Sequence, residues 1–123
     1  TIEVEVDPLE SDLVLYNLFK NSLEACKNEA EPLIIISVEQ SEQKAVIKIQ
    51  DNGPEISEDL VNSIFIPKVS QKTDGLGLGL SICKALAESQ GGSLTAIRNE
   101  QGHFVMKLCL PMAVPAKDIR KNQ

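Results

Sequence analysis

Three glycines at alternate positions, Gly75, Gly77 and Gly79, stand directly before a helical pattern that opens at Leu80. Lacking Cβ atoms, they let backbone N–H groups approach a ligand closely, and the dipole of a following helix favours negative charge there. A phosphate chain suits that chemistry, although a flexible turn would carry the same spacing. The run is not a Walker loop, because GxxxxGK[ST] is absent, and it lacks both the spacing and the parallel βαβ frame of a dinucleotide fingerprint. Asp51 ends a strand pattern and is followed by Gly53. Such a carboxylate can accept from a buried polar donor such as an adenine amino group, or simply close an Asx turn. Asn17 and Asn21 lie one helical turn apart on a shared face. Their amide oxygens are hard donors suited to Mg²⁺, which keeps waters and bridges phosphates; two solvated surface asparagines would read alike.

The elements that must position these residues follow from hydrophobic period. Ile2, Val4 and Val6 alternate with Glu3 and Glu5, a half-buried strand. Asp7-Pro8 opens a helix expected over Leu9 to Lys27, with Leu15, Leu18, Ser22 and Ala25 facing the core. Leu33–Gln40 and Lys44–Gln50 are β-branched-rich and read as a strand pair joined at Ser41–Gln43. A short helix is expected from Ser57 to Phe65, with Ser57 as its N-cap and Glu58 and Asp59 in its first turn. Ile66 to Asp74 reads as loop. Leu80, Cys83, Lys84 and Ala87 carry a helix to about Gln90, stopped by Gly91-Gly92. Ser93–Arg98 and Phe104–Leu110 form a second hairpin. Helices between hairpins suggest an α/β sandwich, its mostly antiparallel sheet covered on one face.

The bulk numbers agree. The chain has 123 residues, 42% hydrophobic, 24% charged and 3% aromatic, which suits one domain with an aliphatic core. A net charge of −6 argues against nucleic-acid binding. No apolar run reaches the length of a membrane span, and no secretory signal is visible. Cys26, Cys83 and Cys109 are scattered, which reads as reduced thiols in a cytoplasmic setting, and a zinc site would need clustered ligands.

Taken in order, the stretches Asn17 to Ala25, Asp51-Asn52-Gly53, Ile64-Phe65-Ile66-Pro67 and Asp74 to Ile82 resemble the N box, first glycine box, F box and second glycine box of sensor histidine kinase catalytic domains. These domains share an ATP-binding fold, the Bergerat fold, with type II topoisomerases, mismatch-repair ATPases and heat-shock chaperone ATPases. The resemblance spans roughly Thr1 to Pro111, and it is densest in the glycine run. It implies a two-layer α+β sandwich, with a mixed, mostly antiparallel sheet, about three helices and an ATP lid loop. It also implies a catalytic unit over 1–111, with 112–123 as a tail or linker. Asn21, aided by Asn17, is expected to hold Mg²⁺. Asp51 is expected to accept the adenine amino hydrogen, with Gly53 beside the base. Lys20, Phe65, Gly75, Leu76, Gly77, Leu78, Gly79 and Leu80 are expected around the nucleotide, and Lys72 at a phosphate.

Catalysis of this kind rests on position and charge neutralisation. The resemblance implies transfer of the ATP γ-phosphoryl group to a histidine on a separate dimerisation hairpin and onward exchange with a response regulator. The expected parent is homodimeric, with this domain forming part of the cytoplasmic portion of a membrane-bound sensor. His103, beside the last turn, is expected to be a surface residue and not the phosphoacceptor. Glu55 stands where the first glycine box has a second glycine, Lys68 and Val69 replace the aromatics that usually follow the F-box proline, and Glu24 replaces a basic residue. An ATPase of the same family is the nearest rival, but those place a general-base Glu where this chain has Asn17. A docking module that has lost catalysis is the other alternative.

Overall fold

In the computed structural model, residues 2–66 and 79–113 are described. The element order is α1 (Pro8–Cys26), β1 (Ile34–Ser41), β2 (Lys44–Asp51), α2 (Glu58–Ser63), α3 (Leu80–Ser89), β3 (Ser93–Arg98) and β4 (Phe104–Pro111). The four strands form one sheet in the order β1-β2-β4-β3, and each neighbouring pair is antiparallel. The final strand is thus inserted between β2 and β3, and the helices cover one face.

Local chemistry explains the boundaries. The Asp7 side chain accepts from the Glu10 N–H at 3.0 Å and Pro8 fills the first turn, a cap that contributes about 1 kcal/mol. Ser57 caps α2 by accepting from the Leu60 N–H at 3.1 Å. Beyond α3, Gly91 adopts φ +82, the left-handed geometry that ends helices. Gln90 then reaches back to α1, where its Oε1 accepts from the Asp7 N–H at 2.6 Å and the Ser11 hydroxyl at 3.3 Å. The two long helices are therefore fixed in relative position at this end.

The core joins Val14 and Leu18 of α1, Cys83 and Ala87 of α3, and Ile49, Leu94, Met106, Leu108 and Leu110 of the sheet. Register brings Ile49 opposite Met106 and Leu108 opposite Leu94, so the period of two along each strand builds one continuous apolar layer. Fully burying such side chains stabilises the fold by about 1.5–3 kcal/mol each. Exposed ion pairs such as Lys48–Glu39 contribute about 0–1 kcal/mol, so the aliphatic layer dominates. Burial pushes the Cys83 thiol above its ordinary range, which keeps it protonated and unreactive.

Several expectations shift. Ile2–Val6 is not a strand of the sheet. It makes a single bridge, Val4 to Met112, with hydrogen bonds from Glu5 N–H to the Pro111 carbonyl and from Ala113 N–H to the Glu3 carbonyl. Alternation marks one face as apolar but supplies no paired strand, and Val4 itself stays 36% exposed. Backbone pairing thus runs two residues past Pro111. Ala25 is exposed instead of facing the core, whereas Val14 and Ser11 are buried. Ile36 and Val38 pair with Ile49 and Ile47 but remain 52% and 54% exposed: they lie on the edge strand, beyond the cover of the helices.

The β1–β2 turn places Glu42 at φ 53 and Gln43 at φ 59. Two left-handed residues make a two-residue hairpin of matching twist, normally built from Asn-Gly. Gln43→Gly is therefore expected to stabilise the domain by about 0.5–1 kcal/mol, read as a higher urea midpoint; a lower midpoint would contradict strain at this turn.

Candidate nucleotide-binding site

One flank of α1 carries both asparagines, in different environments. Asn17 is 3% exposed, and its Nδ2 donates to the Leu13 carbonyl at 2.7 Å. Only the amide nitrogen can donate to a carbonyl, so the side-chain oxygen is turned away from the helix backbone. Asn21, one turn further on, is exposed. This arrangement differs from two solvated surface amides, because burying one is costly unless its groups are matched. Lys20 is half-buried on the same helix.

The second group meets the first at the end of α1. Asp51 is 4% exposed, and its Oδ1 accepts from the Gly53 N–H at 2.9 Å, closing an Asx turn. A Cβ on Gly53 would lie 2.5 Å from the Ala25 carbonyl oxygen and 2.9 Å from its carbon. No side chain fits there. Glycine is thus demanded by helix-to-loop contact, a reason the sequence reading did not identify. The contact sets Asp51 and Gly53 against the turn that follows Asn21. Asn52 completes the seam: its Oδ1 accepts from Leu33 N–H at 2.9 Å and its Nδ2 donates to the Glu31 carbonyl at 2.8 Å. That role was also missed; the Asp-Asn-Gly turn signal marked the place but not the partner.

Phe65 and Leu80 are half-buried and pack against the core from the ends of α2 and α3. Gly79 caps α3 at φ −65 with no side-chain cap hydrogen bond, and a Cβ there would meet only Ser81 Oγ at 3.8 Å. The backbone does not require glycine at this point. A glycine here adds no side chain beside the first amides of α3, the kind of helix start that suits an anion. Lys72, Gly75, Leu76, Gly77 and Leu78 lie outside the described residues, as do Lys68 and Val69.

Glu55 turns away from this junction. Its Cγ and Cδ lie 3.1–3.2 Å from where a Cβ on Gly102 would stand, while Gly102 itself sits at φ +85 in the β3–β4 turn. The Ile56 N–H donates to the Gly102 carbonyl at 3.0 Å. The loop after Asp51 is thereby fastened to the hairpin turn, and φ at Glu55 is not in the left-handed region. Glu24 pairs with Lys27 at 2.9 Å, and the Lys27 hydrogen bond holds its carboxyl below the ordinary carboxylate value. His103 is half-buried, its N–H donating to Asn99 Oδ1 at 2.9 Å.

This α+β fold and the ordered arrangement of its boxes define a nucleotide-binding domain. The sequence profile described as "Histidine kinase-, DNA gyrase B-, and HSP90-like ATPase" matches residues 6–114, and the chain belongs to that family. Within it, the similarity runs to the histidine kinases. The chain is 33% identical over 118 residues to sensor histidine kinase ZraS of Escherichia coli K12, covering 94% of this chain and 24% of that protein. It is 40% identical over 81 residues to sporulation kinase D of Bacillus subtilis, covering 66% of this chain and 16% of that one. Among solved structures, the catalytic domain of histidine kinase ThkA superposes with a TM-score of 0.74 at 35% identity, over 88% of this chain and 70% of that chain. ThkA has also been solved in complex with response regulator protein TrrA, where the likeness has a TM-score of 0.72 at 30% identity, over 89% of this chain and 30% of that chain. The chain is a histidine-kinase-type catalytic domain of this nucleotide-binding family, and it spans about a quarter of the first of these curated relatives.

Among the described residues, no three His, Cys, Asp or Glu side chains are grouped to hold a metal, and no helix is long and apolar enough to cross a membrane. The amide oxygens on α1 fit a hard cation that takes its other ligands from phosphate and water. Gly53→Ala is expected to cost about 1–3 kcal/mol and to weaken nucleotide binding, because the new methyl group displaces the Asp51 turn from α1. Urea unfolding and ATP-analogue titration on one preparation check this; wild-type values in both would rule out the close approach.

Proposed function

We propose that this domain binds ATP with Mg²⁺ and delivers the γ-phosphoryl group to a histidine on a helical hairpin of its parent kinase, from which a response regulator is phosphorylated. The parent is a homodimer in this reading, and a sensor anchored in the membrane. The catalytic unit ends near Pro111, and residues beyond serve as tail or linker. The observation that carries the reading is the seating of Gly53 on the Ala25 carbonyl, with buried Asp51 beside it and Asn21 one turn away.

In this reading Asn21 offers its amide oxygen to the metal, and the buried, oriented amide of Asn17 supports the same flank. Bound Mg²⁺ supplies charge neutralisation to the phosphate oxygens. Asp51 uses one carboxylate oxygen to hold Gly53, and the carboxylate so fixed accepts from the adenine amino group. Lys20, Phe65, Gly79 and Leu80 surround the nucleotide, together with Lys72, Gly75, Leu76, Gly77 and Leu78. The amide at position 17 supplies no general base for water, which favours phosphoryl transfer over hydrolysis.

Two substitutions test separate halves of the site. Asn21→Ala is expected to remove the Mg²⁺-dependent part of ATP-analogue affinity and to abolish phosphotransfer to a hairpin supplied in trans. Retention of both would refute the metal role. Asp51→Asn is expected to weaken ATP by about 1.5–3 kcal/mol, the range for a hydrogen bond to a charged group, while GTP binding changes little. Equal losses for both purines would contradict the adenine role.

A further inference from the structure

The described residues contain a polar tether that none of the recognised boxes accounts for. Lys84 of α3 makes three contacts with one ammonium group. Its Nζ donates to the Leu94 carbonyl at 3.0 Å, pairs with Glu88 Oε2 at 3.4 Å and lies 5.0 Å from the centroid of the Phe65 ring. Lysine carries three donors, and here each direction has a use. The Leu94 contact fixes the ammonium to the second residue of strand β3, which is 0% exposed. From that fixed point the charge sits over the ring face, within the range of a cation–π contact.

What needs holding is α2. It has only six residues and buries none of them, so it cannot sustain itself as an isolated helix. Its front is fastened by the Ile56–Gly102 hydrogen bond and by an exposed pair, Arg98 to Glu58 at 3.8 Å. Its far end runs into Phe65, which rests on the core with Lys84 above it. Lys84 therefore joins the end of α2 to the helix whose first turn begins at Gly79 and Leu80.

We propose that Lys84 is a positioning residue for the nucleotide site: it acts through Phe65, holding the end of α2 against α3, and does not touch the phosphates. The inference rests on the nucleotide reading given above. A contact of this class supports roughly two- to thirty-fold in an equilibrium constant. Lys84→Met keeps the length of the side chain and removes its charge and donors. Lys84→Arg keeps a cation that stacks on a ring.

The test is a double-mutant cycle of Lys84→Met with Phe65→Leu, read as affinity for a fluorescent non-hydrolysable ATP analogue with Mg²⁺. Lys84→Met is expected to weaken binding roughly three- to thirty-fold in the wild-type background and to have little further effect once the ring is gone. Lys84→Arg is expected to stay within about threefold of wild type. A loss of the same size with and without the Phe65 ring would make Lys84 a direct phosphate ligand and overturn the proposal, as would unchanged affinity. Amide exchange of residues 58–66 without nucleotide gives a second measurement, expected to be faster in Lys84→Met and restored in Lys84→Arg. If the wild-type domain binds no nucleotide, the nucleotide reading fails and the exchange arm decides the tether alone, with unchanged exchange overturning it.

Discussion

The Ala25 carbonyl occupies space that any side chain at position 53 would need, and much of the site follows from that steric fact. The end of β2 can touch the last turn of α1 only through a residue without a Cβ. Beside that contact Gly53 N–H meets Asp51 Oδ1 and the carboxylate is buried, while Asn21 lies one helical turn before Ala25. Asn52 reinforces the seam from the other side by tying residues 31 and 33 to the turn. Two sequence boxes that looked like independent signals are therefore one packed junction. Helix, loop and strand end hold each other at this junction.

The region around α2 and the start of α3 is built differently. Phe65 and the start of α3 rest on the aliphatic core, but α2 itself is a surface element stitched down at its ends. The hydrogen bond from Ile56 to Gly102 and the packing of Glu55 on that same glycine extend the stitching to the β3–β4 turn. A glutamate in the place of a second box glycine thus gains a packing partner, and the backbone there needs no left-handed conformation. The junction at Ala25 is closely packed, and the α2 side is held by a few directional contacts.

Much of this architecture was legible in the sequence. The period of β4 is strong because it buries a regular apolar row, α1 buries Val14 and Leu18 among small polar residues at helical spacing, and the caps at Asp7 and Ser57 have side-chain acceptors at the expected places. Ile2–Val6 misled, because alternation signals an apolar face without saying how many of its residues are paired, and among these described residues Val4 alone makes a bridge. Ala25 misled in a similar way: helical spacing aligned it with the core, yet its position is set by a loop arriving from β2. The tethers made by Asn52, Glu55 and Lys84 were invisible because each joins residues distant in sequence, and a lone polar side chain has no period. Gly53 was found for its type and place, while the physical demand for it came from a helix 28 residues earlier, as the numbering of Ala25 and Gly53 gives.

The strand order carries a consequence for how the chain becomes a domain. Among the described elements β4 comes after β1, β2 and β3 in the chain, yet it pairs with β2 on one side and β3 on the other. Until residues 104–111 emerge from the ribosome, the first hairpin has a bare inner edge and β3 has no sheet neighbour at all. Closure is therefore a late, long-range event of the kind that slows folding and leaves nascent chains open to misassociation. The bridge between Val4 and Met112 then joins the segment ahead of α1 to the residue that follows β4, so placing the central strand also ties down the chain before the first helix.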